Sequence, residues 1–524
     1  MTARRGVYTW VAGLTLVLWV LAWFRPLALP DEGRYGDIGR YMLLSGDWLA
    51  PRLDGIPFFH KPPLLHWLQA AALKIAGVHP WVSRGVLVAH AALMLWAMAW
   101  AARKIWGEQV AQRAVLMLGT SLAFLIGGQY INHDMLVAAW IGVAIWCFAL
   151  SLLQGDRPCP TLARWGFVAC ALGVLAKGLI GLVLPGLVLF VWITLTRQWR
   201  KILYLPWLSG LGLLACIALP WFIWVERVHP GVFDYLIVGQ HFGRYTGTTF
   251  NNPWPWWFYG VILCGLLFPW TLLAYASGLA RLIRQPWAWW RPASPEQALL
   301  WVWLIAIALF FSMPRSKLVG YILPVLPPLA VLAALAWQRW IAPRRWGDGV
   351  FAALCVANLA IATGANQVAS HYTLSKRSSA DVAQRLACEI QPGDEVWAAG
   401  AYPYDLPYIA NLSKPVRVLN DWEHARRTAG DNWQREMFEG APFDPDAAQH
   451  IMQPLDQLHA PHTEHDWLVT PVGRWQANEL KSWQLVQQGR VWSLWRGSAG
   501  EGPESAQHKG LRCSNDHGQP QSRP

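Results

Sequence analysis

Charged residues are scarce in this chain, at 14% of 524 positions, whereas 54% of the residues are hydrophobic. The mean hydropathy is +0.25, which excludes an ordinary soluble domain and predicts a protein that crosses a membrane several times. The 37 tryptophans agree with this prediction, because Trp concentrates at the bilayer interface. The formal charge of +12 is not taken as a sign of a nucleic-acid partner, since the basic residues fall in short loops between apolar runs.

Cysteine motifs are also absent. The sequence has eight Cys, and neither a CxxC pair nor the Cys/His spacing of a zinc finger occurs. It therefore argues for neither a disulfide framework nor a structural zinc finger. No small-residue cleavage site follows the first apolar run, which Arg25-Pro26 interrupts, so a retained first span is expected rather than a removed signal peptide.

Long apolar runs are plentiful, and the predicted fold is mainly α, a polytopic bundle of about 11–13 transmembrane helices. The segment 64–77 is apolar at helical spacing but short, so it is predicted to be an interfacial helix. The runs lie at 7–24, 81–102, 109–129, 131–153, 162–176, 178–196, 202–225, 256–280, 298–312, 318–337 and 349–367.

The short loops differ in charge on the two sides of the predicted bundle. If the N-terminus is cytoplasmic, every cytoplasmic turn is basic, as the positive-inside rule requires. These turns hold Arg103, Lys104, Arg113, Arg157, Arg164, Arg197, Arg200, Lys201, Arg281, Arg284, Arg291, Arg339, Arg344 and Arg345. The segments 29–68, 133–134, 226–255 and 314–317 then lie on the opposite face, together with Lys177.

The segment 29–68 concentrates charge within the first loop, 25–80. Eleven charged or imidazole side chains lie there among aromatics, and such charge between spans is costly unless it serves a wet site at the bilayer surface. A plain solvated loop is the alternative. The adjacent acids Asp31 and Glu32 do not face each other on a helix, so one is expected to point at substrate and the other to hold a neighbour such as Arg34.

Composition changes near residue 368, where apolar runs give way to acids, amides and Pro. A transmembrane domain over 1–367 and a small soluble α/β domain over 368–496 are predicted, followed by a disordered tail over 497–524. Within the small domain, strands are expected at Glu395–Ala399 and Val416–Leu419, with a helix at Ser379–Cys388.

Cations and Tyr on the outward face suit a phosphate or pyrophosphate ligand. The alternative for each Lys taken alone is that it only reaches toward lipid headgroups. The candidates for phosphate binding are Arg34, Lys61, Lys177, Arg244, Lys317 and Tyr321.

Five collinear motifs carry a resemblance. They are DExRYxxIxRxMLxxGDWxxPRLxGxPFFxKPPLxxW from residue 31, HD at 133–134, AKG at 176–178, QHFGRY at 240–245 and SKLxxYILPxLPPLA at 316–330. In these motifs the chain resembles the bacterial aminoarabinose transferase family, GT-C glycosyltransferases that use polyprenyl phosphate and are related to protein O-mannosyltransferases.

The resemblance implies transfer of an amino sugar, such as 4-amino-4-deoxy-L-arabinose, from undecaprenyl phosphate to lipid A at the periplasmic face of the bacterial inner membrane. It implies that Asp31 is the essential acid, that Lys61 and Tyr321 hold the lipid-linked phosphate, and that Asp134 and His241 are further pocket positions. Glu32 and Asp134 join Asp31 as catalytic candidates.

A zinc ion is also implied, because the family holds one with a Glu before the KP motif and with the later His. Here His60 stands at the Glu position, and two imidazoles, His60 and His241, still suit zinc. Zinc is therefore kept as a candidate cofactor, and no other is expected.

Two rival functions remain open from the sequence. One is hexosyl or mannosyl transfer to another glycan, lipid or protein. The other is a lipid-linked sugar flippase or transporter, which should place charge at the bilayer midplane and often shows internal repeats. Here the charges cluster at one face, and no repeat is found.

Asp31 is expected to act as a base on a hydroxyl acceptor, or to orient the sugar if the acceptor is a phosphate.

Overall fold

The computed structural model describes residues 6–243, 253–284, 294–430 and 432–498, with only the backbone for 241–243. These residues form two compact units. The first unit comprises residues 6–26, 38–51 and 57–370, and the second comprises 27–37, 52–56 and the described residues from 371 onward.

The helices of the first part of the chain follow the predicted apolar runs closely. They are α1 (Val7–Trp23), α2 (Asp31–Ser45), α3 (Leu64–Ala76), α4 (Pro80–Trp106), α5 (Glu108–Gly119), α6 (Leu122–Gly127), α7 (His133–Leu153), α8 (Pro160–Lys177), α9 (Ile180–Thr196), α10 (Trp199–Ile202) and α11 (Trp207–Val228). A π-helix follows at Asp234–Gly243.

The remaining helices of the first unit are α12 (Phe258–Leu266), α13 (Trp270–Arg284), α14 (Pro295–Ser312), α15 (Leu326–Trp340) and α16 (Gly347–Lys376), with a 3₁₀ turn at Val319–Val325 before α15. Six helical segments of the described chain are long and apolar enough to cross a membrane, and α1 and α9 are shorter apolar helices. The mainly α membrane architecture is therefore confirmed.

Two predicted runs are broken rather than continuous. The run 109–129 splits into α5 and α6, because the Ser121 hydroxyl accepts a hydrogen bond from the Phe124 amide at 3.3 Å and so caps a new helix. The run 256–280 splits into α12 and α13 around Pro269, which has no amide hydrogen to continue a helix.

Helices α7 and α8 show how the first unit is packed. Phe148 and Phe167 meet edge to face with centroids 5.1 Å apart, in a cluster with Ala144, Ala163 and Cys170. Aromatic and small side chains interdigitate here, which brings the two helix axes close.

A buried arginine ends the first helix. Arg84 in α4 has no exposed surface and donates hydrogen bonds to the backbone carbonyls of Ala22, at 3.0 Å, and Pro26, at 2.6 Å. These carbonyls lie at the end of α1, where no further helical amide is available to them. Arg84 is therefore a structural cation.

The second unit contains a six-stranded sheet in the order β5-β4-β3-β6-β8-β7. The strands are β3 (Glu395–Ala399), β4 (Arg417–Asn420), β5 (Met452–Pro454), β6 (Asp466–Pro471), β7 (Trp483–Gln488) and β8 (Trp492–Gly497). The helices are α17 (Ala380–Glu389), α18 (Leu406–Ile409), α19 (Trp422–Thr428), α20 (Trp433–Gly440) and α21 (Pro445–Ile451), with 3₁₀ turns at Ala441–Phe443 and Leu455–His459.

The sheet is mixed. Strands β5, β4, β3 and β6 are parallel, and β8 and β7 add an antiparallel hairpin. Registers pair Trp397 with Arg417 and Leu468 with Trp495. Buried side chains from both halves, including Trp397, Leu468 and Trp495, form one core. The predicted α/β character is present, whereas the predicted disordered tail falls mostly on residues 499–524, outside the described residues.

A small hairpin from the first loop also belongs to the second unit. Strands β1 (Arg52–Leu53) and β2 (Ile56–Pro57) are joined by Asp54 and Gly55, both at positive φ, which is the conformation of a type I′ turn. Asp54 Oδ1 accepts a hydrogen bond from the Val416 amide at 2.8 Å, and Arg52 pairs with Asp444 at 2.6 Å. The first loop is thus tied to the C-terminal sequence.

Candidate functional site

Three of the predicted site residues meet in the first unit. Lys177 forms an ion pair with Asp134, and its ammonium lies 4.3 Å from the centroid of the Tyr321 ring. They come from the HD, AKG and SKLxxY motifs, which are far apart in sequence. We refer to Asp134, Lys177 and Tyr321 as the Asp134 cluster.

Helix ends position the ion pair of the Asp134 cluster. Asp134 lies in the first turn of α7, and Lys177 is the last residue of α8, where the helix dipoles favour an acid and a base respectively. Gly178, at a φ of 82°, ends α8 directly after Lys177. Both charged side chains are about nine-tenths buried. Their pairing therefore offsets much of the cost of taking either charge out of water.

Asn132 and Gly320 fix the carboxylate of Asp134. The Asn132 side chain accepts a hydrogen bond from the Asp134 amide at 2.9 Å, and its amide nitrogen donates to Asp134 Oδ2 at 3.0 Å. Gly320 approaches from the 3₁₀ turn, and a Cβ there would collide with the same oxygen. The carboxylate is thus held between a helix cap and bare backbone.

Buried Tyr259 supports the same region. Its hydroxyl donates to the carbonyl of Leu318 at 2.9 Å, and its ring lies close enough to Asp134 and Tyr321 to interact with them electrostatically. Sequence analysis did not single out Tyr259, because it lies in an aromatic-rich run, WPWWFYG, without a charged neighbour.

Lys61 follows the aromatic pair of the first loop. The residue is partly exposed, and its ammonium donates to the carbonyl of His60 at 3.0 Å. The His60 ring stacks on Phe58, with centroids 4.4 Å apart, and meets Tyr235 edge-on at 5.6 Å. Pro62 and Pro63 follow, and α3 begins at Leu64. The backbone directly after Lys61 is therefore restricted.

The zinc prediction finds no support in the described residues. They contain no group of three His, Cys, Asp or Glu side chains that would hold a metal ion. His60 packs against aromatic rings, and the side chain of His241 lies outside the part of the chain that the structure describes. One of the two predicted ligands is therefore not described, and the zinc site stays a prediction.

Lys317 occupies a structural position in the first unit. Only 3% of its surface is exposed, and its ammonium donates to the carbonyls of Trp254, at 2.9 Å, and Pro314. Burial lowers the pKa of this ammonium below its ordinary value. In this conformation Lys317 holds two loop segments together, and we do not include it among the phosphate ligands proposed below.

A second group of predicted residues meets in the second unit. Arg34 pairs with Asp31, three residues earlier in α2, and also with Glu436 of α20. Its guanidinium lies 4.6 Å from the centroid of the Tyr35 ring. We refer to Asp31, Arg34 and Glu436 as the Arg34 cluster.

Asp31 and Glu32 have different environments. The Asp31 side chain keeps 32% of its surface exposed. Glu32 has none exposed, and its Oε2 accepts a hydrogen bond from the Ala28 amide at 2.6 Å, just before α2 begins. The first acid is thus accessible, whereas the second stabilises the start of a helix.

Glu436 is a second residue that sequence analysis missed. It is 8% exposed, and its second oxygen accepts a hydrogen bond from the Tyr404 hydroxyl at 3.1 Å. The motifs that carry the resemblance end before residue 335, so nothing marked Glu436 among the other acids of the C-terminal part.

Two predicted residues cannot be placed. Arg244 lies outside the described residues, and only the backbone of His241 is described, within the π-helix. Their predicted roles stay predictions.

Comparison with known proteins finds relatives for part of the chain. Residues 12–236 match the family model described as dolichyl-phosphate-mannose-protein mannosyltransferase. A protein of Pseudomonas paraeruginosa, named undecaprenyl phosphate-alpha-4-amino-4-deoxy-L-arabinose arabinosyl transferase, is 33% identical over 334 residues, which cover 62% of this chain and 58% of that protein. A protein of the same name from Aeromonas salmonicida is 30% identical over 64% of this chain and 62% of its own length. The chain thus spans less than two thirds of these relatives.

Solved structures share the fold. The crystal structure of ArnT from Cupriavidus metallidurans bound to undecaprenyl phosphate matches with a TM-score of 0.79 at 23% identity, over 96% of this chain and 100% of that one. Its apo structure matches with a TM-score of 0.74 over 95% and 99%. Together, these similarities show a multi-pass membrane protein that has the GT-C fold of these structures and resembles the aminoarabinose transferases over some 60% of its length.

Proposed function

We propose that this protein is a glycosyltransferase that moves 4-amino-4-deoxy-L-arabinose from undecaprenyl phosphate to a phosphate of lipid A, at the periplasmic face of the inner membrane. The observation that carries the proposal is the alignment of some 60% of the chain with relatives that bear this activity in their names. The likeness to a structure bound to undecaprenyl phosphate supports the lipid-linked donor.

The donor phosphate needs fixed positive charge, because negative charge grows on it as the sugar leaves. We assign Lys61 to this task. Lys61 is partly exposed, and the two prolines that follow it restrict the backbone from which its side chain projects. A Lys ammonium beside such a restricted backbone is suited to contact the donor phosphate.

The Asp134 cluster supports Tyr321. The ammonium of Lys177 is paired with Asp134 and lies over the ring of Tyr321, so these two residues position the tyrosine rather than present a free cation. We assign Tyr321 a hydrogen bond to the donor phosphate, and we assign Asp134 and Lys177 the role of holding the ring.

Asp31 is assigned to the sugar. A lipid A phosphate is already anionic at neutral pH and needs no general base, so a carboxylate has a different use here. About a third of the Asp31 side chain is exposed, which allows Asp31 to pair with the ammonium group of an aminoarabinose. Arg34, which is itself paired with Glu436, holds Asp31 in place. A neutral hexose would lack that partner.

Mannosyl or other hexosyl transfer is a second candidate. It is favoured by the match of residues 12–236 to the protein mannosyltransferase family model. The two functions differ in the donor sugar and in the need for an acid that binds an ammonium group.

Mass spectrometry of the acceptor distinguishes the two candidates. We expect lipid A from cells that express the protein to gain the mass of an aminopentose, and cells without it to lack that species. Purified protein should use undecaprenyl phosphate-linked aminoarabinose and reject polyprenyl-phosphate mannose. Addition of a hexose mass, or transfer from the mannose donor alone, contradicts the proposal.

A further inference from the structure

The first unit contains a large groove whose lining includes no residue of the two clusters. Its volume is about 1530 Å³, and residues of α1, α5 and α16 line it together with Arg103 at the end of α4. Pockets for small ligands typically measure about 300–1,000 Å³, so this groove has the size to hold a lipid.

The walls of the groove are apolar. Trp10 and Leu14 contribute from α1, Leu116 from α5, and Phe351 and Val356 from α16. Val356 is 67% exposed, so the apolar wall continues to the outer surface of the helix bundle. A hydrocarbon chain of the bilayer would therefore enter without passing polar groups.

The polar end of the groove holds two bases and two acids. Arg103 and Glu108 pair with each other at 2.7 Å, and Glu108 also accepts from the Val7 amide at 2.6 Å. Arg113 and Asp348 approach only to 3.5 Å. Opposite charges thus meet in equal number at one end of an apolar groove.

The Arg113–Asp348 pair is weakly satisfied. The Arg113 side chain is 16% exposed, its Nη1 atom is buried, and that atom has no hydrogen-bond partner among the described residues. The side chain of Asp348 is 88% exposed. A pair of this length and exposure contributes little to stability, whereas a buried guanidinium nitrogen without a partner is costly. The site thus presents a partly exposed cation and a largely exposed acid whose hydrogen bond to each other is long.

We propose that the groove binds phosphatidylethanolamine. Its phosphate would accept from Arg113, its ammonium would donate to Asp348, and its acyl chains would lie along α1 and α16. A zwitterionic headgroup with a primary amine matches both residues, whereas an anionic headgroup leaves Asp348 facing a like charge. The basic turns beside this end are those that the positive-inside rule assigns to the cytoplasm, so the lipid belongs to the inner leaflet.

Native mass spectrometry of the delipidated full-length protein tests this binding. We expect phosphatidylethanolamine to bind at least fivefold more tightly than phosphatidylglycerol or phosphatidylcholine. Arg113→Gln should reduce phosphatidylethanolamine binding at least fivefold, and Asp348→Asn should remove the preference over phosphatidylcholine. Arg157→Gln is the matched control, because Arg157 is exposed and lies outside the groove.

A second variant separates binding from folding. Gly13 lines the groove, and a Cβ there would meet nothing within 4 Å, so Gly13→Phe fills the space without touching the charged end. It should keep its elution volume in size exclusion and lose phosphatidylethanolamine as Arg113→Gln does. Tighter binding of phosphatidylglycerol, or unchanged phosphatidylethanolamine binding in both variants, overturns the proposal. Neither readout depends on sugar transfer.

Discussion

Glu436 accepts a hydrogen bond from Arg34, a residue 402 positions earlier in the chain. The same guanidinium also binds Asp31, so Arg34 is shared between two acids. Glu436 thereby limits how strongly Arg34 neutralises Asp31. A residue of the C-terminal sequence thus sets the electrostatic environment of the acid assigned to the sugar.

Replacement of Glu436 tests this relationship. We expect Glu436→Gln to lower the transfer rate roughly tenfold, about 1.4 kcal/mol, because Arg34 then pairs more fully with Asp31. The initial rate with lipid-linked donor is the measurement. Glu439→Gln is the control, since Glu439 lies on the same helix and pairs with Arg435 instead. A full rate for Glu436→Gln shows that the ion pair does not act on Asp31.

Asp31 and Glu32 should respond differently to loss of charge. Asp31→Asn is expected to abolish transfer at unchanged protein level, because an amide cannot bind an ammonium sugar as an anion does. Glu32→Gln should retain measurable activity, since the amide oxygen can still accept from the Ala28 amide. The comparison uses membranes supplied with donor and lipid A. If Glu32→Gln abolishes transfer and Asp31→Asn does not, Glu32 is the essential acid. If both variants are active, the two acids have structural roles only.

Lys61 should be indispensable for use of the donor. We expect Lys61→Ala to lose transfer while the protein remains in the membrane, and Lys61→Arg to restore little, because guanidinium is longer and planar. Lys74→Ala is a suitable control, as Lys74 is an exposed lysine of the neighbouring helix. Near-normal transfer by the Lys61→Ala variant means that this lysine only contacts headgroups.

Gly320 should not tolerate a methyl group. In Gly320→Ala the new Cβ meets Asp134 Oδ2, so the carboxylate has to leave Lys177 or the 3₁₀ turn has to move. Overpacking of this kind typically costs about 1–3 kcal/mol. We expect a lower melting temperature and at least a tenfold loss of transfer. Gly212→Ala, where a Cβ meets nothing, should change neither, and equal behaviour of the two variants refutes the steric account.

The orientation of the chain is testable with reporter fusions. The basic turns predict that a reporter fused after Ser370 is active only in the periplasm, whereas one fused near Arg200 is active only in the cytoplasm. Activity on the reverse side at either junction contradicts the orientation, and with it the proposed leaflet of the bound phospholipid.

The elements that sequence predicted well are those with a local cause. Helices α7, α8 and α11 follow uninterrupted apolar runs, because a backbone surrounded by lipid must satisfy its hydrogen bonds within the helix. Strand β3 has the bounds predicted for it. The breaks at 120–121 and 267–269 were missed, because an apolar run does not show where Ser121 caps a helix or how Pro269 divides one.

The sequence predicted individual site residues but not which residues they contact. Separate motifs suggested Asp134, Lys177 and Tyr321 one at a time. Only the packing of their segments pairs Asp134 with Lys177 and places the ring of Tyr321 against the Lys177 ammonium. Nothing local distinguished Lys317, which holds two carbonyls, from Lys61. A motif gives the chemistry of a side chain, whereas its role depends on the groups that desolvate and neutralise it.

By itself the sequence determined a membrane protein that crosses the bilayer several times and carries motifs similar to those of the aminoarabinose transferases, because hydropathy and local motifs depend only on residues close together along the chain. The tertiary structure alone decided that Glu436 reaches Arg34, that Arg84 ends α1 from another helix, and that Gly320 leaves room for a carboxylate. Each of these depends on segments brought together by the burial of apolar surface. The contacts that result at a given polar group are specified by the whole packed chain, and no short stretch of it contains them.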